Sequence, residues 1–211
     1  TQNQAFSALL MLCREVLEVD LKPIADSVRA KTSRKVPVVF TPEEVGRLIE
    51  QLRPKTKLMV RLLYGTGMRL SEVLRLRVKD VDFEMNTVTV RSGKGDKDRV
   101  TILPASVKAE LTEHLLKVKN IHEQDLYNTY GEVYMPNALE RKYPNAAREW
   151  PWQWVFPADS LSVDPQTCAV RRHHILPLIL QRDVKKAISK AGIARHASVH
   201  TLRHRFATHL L

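Results

Sequence analysis

The chain has 211 residues, which allows one large domain or one and a half small ones. Hydrophobic residues make up 44% and charged residues 27%, an ordinary globular composition that excludes a disordered tail. Lysine and arginine number 34 against 23 acids, and the net charge of +11 favours a polyanionic partner, most often nucleic acid. The alternative is a basic protein without such a partner.

The two cysteines, Cys13 and Cys168, are too few and too far apart for a disulfide framework or a zinc site, which favours a reducing cytosol. No apolar run approaches membrane-spanning length, and the first residues lack the basic region of a signal peptide. We therefore expect a cytoplasmic protein without a membrane partner. Both ends of the chain have the character of a fragment.

Apolar residues with helical spacing predict a first helix from Ala5 to Leu21. Residues 22–40 then predict a basic linker, which is either a solvated tether or a strap that contacts phosphates. The basic residues that we assign to DNA contact in this linker are Arg29, Lys31, Arg34 and Lys35.

A second domain is predicted to open at Thr41, where Thr41, Pro42 and Glu44 fit a helix capping box. A helix around residues 58–63 is broken by Gly65-Thr66-Gly67, and Ser71 is predicted to cap the short helix that follows.

Alternating residues predict two strands, Asn86–Val90 and Arg99–Leu103, joined as a hairpin through the turn-rich residues 92–98. Residues 81–83 could add a third strand. Helical spacing returns at residues 111–116 and 178–191, and Gly192 is predicted to end that second helix.

A last helix is predicted to begin near Ser198. Taken together, these elements predict a fold that is mainly α with a small antiparallel sheet. Residues 120–157 differ from the rest because they hold most of the aromatic side chains, including Trp150, Trp152 and Trp154.

Four basic or titratable residues stand where packing gives no obvious reason for them: Arg69, Lys94, His200 and Arg203. Each is common on protein surfaces when considered alone. Together they supply two guanidinium groups for the non-bridging oxygens of a phosphate, and an ammonium and an imidazole for proton transfer.

Three motifs resemble those of the tyrosine recombinases, in the same order. Residues 65–72 (GTGMRLSE) resemble the first arginine motif, residues 93–99 (GKGDKDR) the hairpin lysine motif, and residues 200–211 (HTLRHRFATHLL) the His-x-x-Arg box. The resemblance implies a tyrosine-recombinase-like catalytic domain over residues 41–211. It also implies that residues 1–21 are the last helix of a core-binding domain.

Two further segments are similar to the integron integrases within that family. They are residues 138–146 (ALERKYPNA) with 150–154 (WPWQW), and residues 171–174 (RRHH) with Pro177. The resemblance implies a bacterial site-specific DNA recombinase that acts on duplex sites and on folded single-stranded hairpins. It also implies a homo-oligomer, a tetramer on two DNA sites.

We expect the residues of these segments to contact DNA, with the aromatic ones forming a slot for a displaced base. For the tryptophans, the alternative is a local core. The set is Trp150, Trp152, Trp154, Arg171, Arg172, His173, His174 and Pro177.

The mechanism that the resemblance implies is phosphoryl transfer through a 3′-phosphotyrosyl enzyme. Arg69 and Arg203 would hold the phosphate, Lys94 would protonate the leaving 5′ oxygen, and His200 would act as acid or base. Lys97 competes with Lys94 for the lysine role. Neither ATP nor a metal is implied, and no tyrosine matches the nucleophile, which we expect beyond Leu211.

Two other classes remain open. A DNA-binding module that never cuts would use the same basic charge, although binding alone does not need all four catalytic candidates. A metal-dependent nuclease could use His200, His204 and His209, but no acidic cluster accompanies them.

Overall fold

The computed structural model describes residues 2–19, 39–91, 97–136, 139–165, 167–195 and 197–203. The chain divides into two compact units, residues 1–36 and 37–211. In the first unit, helix α1 covers Gln2–Glu15, ends earlier than the sequence suggested, and buries none of its residues. Cys13, on this helix, is half-buried.

In the second unit, helix α2 covers Pro42–Glu50 and begins with the capping box that the sequence predicted. The hydroxyl of Thr41 accepts the backbone N–H of Glu44, and the Glu44 carboxylate accepts the backbone N–H of Thr41. Helix α3 covers Pro54–Thr66 and ends at Gly67, whose φ of 63° lies in the left-handed region that favours glycine.

Helix α4 covers Leu70–Leu74, and here the predicted cap is wrong. Arg69 is the N-cap residue, and Ser71 is already inside the helix. The reason is that the Glu72 carboxylate accepts the backbone N–H of Arg69 at 2.7 Å, which satisfies the first turn without the serine.

The predicted hairpin and third strand are confirmed. Strands β1 (Val81–Asp82), β2 (Thr87–Val90) and β3 (Arg99–Ile102) form one antiparallel sheet in that order, and Val90 pairs with Arg99 at the end of the hairpin next to the connection between β2 and β3. The Thr101 hydroxyl donates to the Thr66 carbonyl, which ties β3 to the end of α3.

Helix α5, Ala105–Tyr127, runs into the region predicted as aromatic-rich. After it come helix α6 (Leu139–Lys142), single 3₁₀ turns at Ala146–Arg148 and Trp150–Trp152, and a two-stranded sheet of β4 (Ser162–Val163) and β5 (Val170–Arg171).

Helix α7 covers Pro177–Lys190 and is followed by Gly192 with a φ of 66°, as its predicted C-terminal role requires. The described part of the last helix comprises residues 199–203. The fold is thus mainly α with small antiparallel sheets, as the sequence indicated.

The main core of this unit joins α2, α3, α4, α5 and α7 around buried side chains such as Leu48, Leu62, Leu74, Leu111 and Leu180. A second, smaller core consists of Val133, Met135, Ala146, Ala147 and Trp154. Within the described residues, no helix is both long and apolar enough to cross a membrane.

Candidate DNA-cleavage site

Arg69 lies where α3 ends and α4 begins, held there by a glutamate one turn later. Its Nη1 donates to Glu72 Oε1 at 2.7 Å, and its backbone N–H donates to Glu72 Oε2 at the same distance. The Arg69 side chain is 32% exposed, whereas that of Glu72 is 5% exposed. The carboxylate is therefore a buried anchor, and the arginine above it faces solvent in part.

A second arginine binds the same carboxylate. Arg99 Nη1 donates to Glu72 Oε1 at 2.9 Å and Arg99 Nη2 donates to Oε2 at 2.6 Å. Burial alone raises the pKa of Glu72, but the hydrogen bonds from Arg99 and Arg69 outweigh it and lower that pKa to about 2. Glu72 is therefore ionised at neutral pH.

Arg203 belongs to the same group of charges. Burial, together with the positive charges of Arg69 and Arg99, lowers the pKa of Arg203, and Glu72 opposes this shift. The two predicted phosphate-binding arginines, Arg69 and Arg203, are thus close enough for the charge of one to affect the other. We call Arg69, Glu72, Arg99 and Arg203 the Glu72 cluster. Two of its three guanidinium groups bind the single carboxylate, so positive charge is in excess.

His200 lies one helical turn before Arg203 and is exposed. With Gln181 and Lys185 of α7 and Ser198, it lines a groove of about 250 Å³. The Ser198 backbone N–H donates to the hydroxyl of Thr201 at the start of this helix, near the predicted position.

The predicted lysine and linker residues lie mostly outside the described residues. This holds for Lys94, for Arg29, Lys31, Arg34 and Lys35, and for His204 and His209 of the metal alternative. Lys97 is described and exposed, just before β3. Among the described residues, no group of three or more histidine, cysteine or acidic side chains could hold a metal ion.

The aromatic region forms a second centre of interaction. Trp154 is buried in the smaller core, with the Arg77 guanidinium 4.0 Å above its ring and the edge of His174 at 5.2 Å between centroids. The Lys79 ammonium lies 2.8 Å from the ring centre of Trp152, and Trp150 packs on the main core and near His122. All three tryptophans therefore already have protein contacts.

The predicted histidine segment packs directly against this region. The Ile175 N–H donates to the Phe156 carbonyl, and Ala158 N–H donates to the His173 carbonyl, so the two segments pair as extended chains. His174 is half-buried, and burial lowers its pKa. The Nε2 atom of His173 is buried without a hydrogen-bond partner, and Pro177 is exposed at the start of α7.

The two arginines of this segment are turned toward the protein. Arg172 donates through Nε and Nη2 to both carboxylate oxygens of Asp125, at 2.5 and 2.8 Å, and through Nη1 to the Ala158 and Asp159 carbonyls. Arg171 is buried 3.9 Å from Asp164. This geometry gives both arginines an internal role and weakens their assignment to DNA contact.

Sequence reasoning assigned no role to Glu72, Arg99 or Arg77. The spacing of Arg69 and Glu72, three residues apart, is the signal that could have found the first pair. The Arg99 contact joins elements 27 residues apart and has no local signal.

Comparison with known proteins assigns this chain to a family. An "Integrase/recombinase" from Escherichia coli is 47% identical over 211 residues, which is 100% of this chain and 63% of that protein. A "Tyrosine recombinase XerA" from Pyrococcus furiosus is 32% identical over 185 residues, covering 86% of this chain and 50% of the relative. The chain thus spans less than two thirds of these relatives.

Two solved structures share the fold. A XerA recombinase has a TM-score of 0.56 at 24% identity and covers 98% of this chain and 60% of its own. A lambda integrase tetramer bound to a Holliday junction has a TM-score of 0.58 at 13% identity and covers 98% and 52%. Residues 38–211 match the phage integrase family, and the chain therefore belongs to that family.

Proposed function

We propose that this chain is part of a site-specific tyrosine recombinase that cuts and rejoins DNA through a 3′-phosphotyrosyl intermediate. The observation that carries the proposal is the Glu72 cluster, in which Arg69 binds the buried Glu72 carboxylate and Arg203 lies within electrostatic reach of both. Residues 1–21 would end a core-binding domain, residues 22–40 would be the linker, and residues 41–211 would belong to the catalytic domain.

The charge of the cluster suits phosphoryl transfer. A pentacoordinate phosphate carries more negative charge than the diester from which it forms, and preorganised donors that face this charge stabilise the transition state. Arg69 uses Nη1 and its backbone N–H on Glu72, and it is 32% exposed. Arg69 and Arg203 would bind the two non-bridging oxygens.

Proton transfer would complete the reaction. The tyrosine oxygen attacks phosphorus, the bond from phosphorus to the 5′ oxygen breaks, and the leaving oxygen takes a proton from Lys94 or from Lys97. A 5′ hydroxyl of another strand later attacks the phosphotyrosine and releases the tyrosine. His200 would transfer protons in these steps, and because the phosphotyrosine conserves the bond energy, neither ATP nor a metal is needed.

The basic residues outside the cluster would provide affinity. Arg29, Lys31, Arg34 and Lys35 of the linker, and Lys97 beside the hairpin, would neutralise backbone phosphates. One protein of similar fold is described as a tetramer on a Holliday junction, which supports a tetramer on two DNA sites for this protein as well.

The central test removes one arginine of the cluster. We expect Arg69→Ala to lower the cleavage rate about 10²–10³-fold, because one transition-state donor is lost, while most DNA binding persists. Cleavage is measured on a nicked suicide substrate, in the chain extended past Leu211 to the length of its Escherichia coli relative. A gel shift measures binding.

Arg61→Ala is the matched control, because Arg61 also binds a carboxylate, Glu110, but lies outside the cluster. Equal losses of cleavage and binding in Arg69→Ala would contradict the catalytic role. The 211-residue chain itself should bind DNA with a steep salt dependence and form no covalent adduct, because the nucleophile is expected beyond it. If the extended chain binds DNA but never cuts, the non-cutting module is correct.

We further propose the integron-integrase type of reaction, on folded single-stranded sites as well as duplex sites. Its support is the motif resemblance and the packing of His174 on Trp154, which joins the histidine segment to the aromatic region. His174 and Trp152 are only half-buried, and could each contact a displaced base at their exposed parts. Trp154, at 6% exposure, would support them from the core.

The test compares two DNA substrates. We expect His174→Ala to weaken binding to a hairpin with bulged bases about 5- to 150-fold, the range that base stacking is worth, with little change for a fully paired duplex. Trp154→Ala is the control for a packing defect and should lower thermal stability and the binding of both substrates. If His174→Ala also affects both substrates equally, the base-reading role is wrong.

A further inference from the structure

Arg99 occupies a special position in the sheet. It is the first residue of β3, next to the segment that carries Lys97, and its guanidinium crosses to α4 to bind Glu72. The side chain of Arg99 is 36% exposed, and that of Glu72 is 5% exposed. A residue of the hairpin thus fixes the carboxylate that holds Arg69.

The four hydrogen bonds to Glu72 are divided evenly. Each carboxylate oxygen accepts one bond from Arg99 and one from Arg69. Arg99 therefore occupies the parallel, two-bond geometry that a carboxylate prefers with a guanidinium. Arg69 gives Glu72 one guanidinium nitrogen and its backbone N–H instead.

This division has a chemical consequence for Arg69. Without Arg99, the Glu72 carboxylate could turn and accept two parallel bonds from the Arg69 guanidinium, because that arrangement is the stronger one. The Arg69 fork would then face Glu72 and be lost to a phosphate. Arg99 prevents this by filling those acceptor positions.

We propose that Arg99 is a positioning residue, which occupies Glu72 so that the Arg69 guanidinium stays directed at the scissile phosphate. The proposal rests on the proposed cleavage function. It extends that function by connecting strand β3, through Arg99 and a single carboxylate, to Arg69.

Arg99→Lys tests the proposal, because lysine keeps the charge but cannot form the parallel pair. We expect DNA affinity to stay within about threefold, since the charge that contributes to counterion release is kept. Cleavage should fall about 10- to 100-fold, the size of effect that a misplaced group has on a reaction.

A substrate without charge at the scissile position separates the loss of Arg69 positioning from a general loss of protein structure. A methylphosphonate at the scissile position replaces one charged non-bridging oxygen by a methyl group, so a misdirected Arg69 matters less there. If Arg99 acts through Arg69, the loss in Arg99→Lys is smaller on the methylphosphonate than on the phosphate, and Arg69→Ala shows the same pattern. Equal losses on both substrates would overturn the proposal.

Arg61→Lys is the matched control. Arg61 joins α3 to α5 through Glu110 and the Ser106 carbonyl, and its side chain is 29% exposed, close to the exposure of Arg99. This variant should lose some thermal stability but show the same small change on both substrates.

A second measurement does not depend on cleavage. In the 211-residue chain with ¹⁵N-labelled arginine, the Arg69 guanidinium signals should shift in Arg99→Lys, because Glu72 then pairs with Arg69 differently. If the parent extended chain does not cut DNA, the proposed function fails, and these signals alone decide the positioning. Unchanged Arg69 signals in Arg99→Lys would overturn the inference in either case.

Discussion

Two regions of this domain use arginine in opposite ways. In the Glu72 cluster, Arg69 and Arg99 bind one carboxylate, Arg203 adds a third positive charge nearby, and Arg69 remains 32% exposed. In the aromatic region, Arg172 is bound by both oxygens of Asp125 and by two carbonyls.

Arg77 in the aromatic region is even more enclosed. It donates to the carbonyls of Trp152 and Tyr134 and stacks on Trp154, and burial lowers its pKa to about 10. Together, the two regions indicate that a basic residue marks a ligand site when its positive charge exceeds the negative charge that the protein places around it. The number of arginines in a segment does not distinguish the two cases.

The largest expected effect concerns Arg172, which is bound by the protein itself in the aromatic region. Arg172→Ala should lower the free energy of unfolding by about 3–5 kcal/mol, because it leaves the Asp125 carboxylate buried without its partner. Urea denaturation measures this. Arg148→Ala is the control in the same region, since the exposed pair of Arg148 with Glu132 is worth at most about 1 kcal/mol.

The opposite result would make Arg172 a ligand-binding residue, as we propose for Arg69. If Arg172→Ala is as stable as the parent but loses affinity for a DNA hairpin, the arginine leaves Asp125 to contact DNA, as its position in the sequence had suggested.

The sequence predicted the parts of this molecule that depend on neighbouring residues. The capping box at Thr41 and Glu44, the antiparallel hairpin and the end of α7 before Gly192 are set by local hydrogen bonding and turn geometry, and all are confirmed. The cap at Ser71 was wrong because a longer side chain, Glu72, reached the same N-terminus.

Distant pairs were beyond the reach of such reasoning. Arg172 and Asp125 are 47 residues apart, and no periodicity connects them. The same holds for Trp154, which resembles its two neighbouring tryptophans in sequence but lies in a core that residues 133–147 complete. Burial is decided by such partners and not by residue type.

The second prediction concerns the Glu72 cluster. Glu72→Gln should lower the free energy of unfolding at pH 7 by about 2–3 kcal/mol, because an amide cannot accept charge-assisted bonds from two arginines. The native pKa of about 2 lies below the ordinary value of about 4.3, so this stabilisation is present above pH 4.3 and is lost as the pH falls toward 2.

The difference between parent and Glu72→Gln should therefore narrow between pH 5 and pH 3, as measured by denaturant unfolding at each pH. Glu113→Gln is the control, because Glu113 pairs with Lys117 on the exposed surface and should show no comparable loss. A difference that stays constant over this range would mean that the Glu72 charge is not what the cluster uses.

The smallest effect concerns two histidines that hold the aromatic region onto α5. His114 Nε2 lies 2.8 Å from the Val155 carbonyl and His122 Nε2 lies 3.0 Å from the Arg148 carbonyl, so each donates one hydrogen bond in its neutral form. Burial lowers the pKa of both, more than the hydrogen bonds to the carbonyls raise it. Hydrogen bonds from neutral histidines therefore hold this region in place, in addition to its ion pairs.

Because these histidines have lower pKa values in the folded chain than the ordinary value of about 6.5, the unfolded chain binds more protons below that pH. Stability should therefore fall as the pH drops from 7.5 to 5.5, with a decrease of Tm on the order of a few degrees. In the double variant His114→Gln and His122→Gln, the amides donate without titrating, so the pH dependence should be weaker although the variant is less stable overall. His200→Gln, which replaces an exposed histidine outside the aromatic region, is the control for the substitution itself. If the double variant has the same slope as the parent, the acid sensitivity arises elsewhere, and the aromatic region is held by its charges and rings alone.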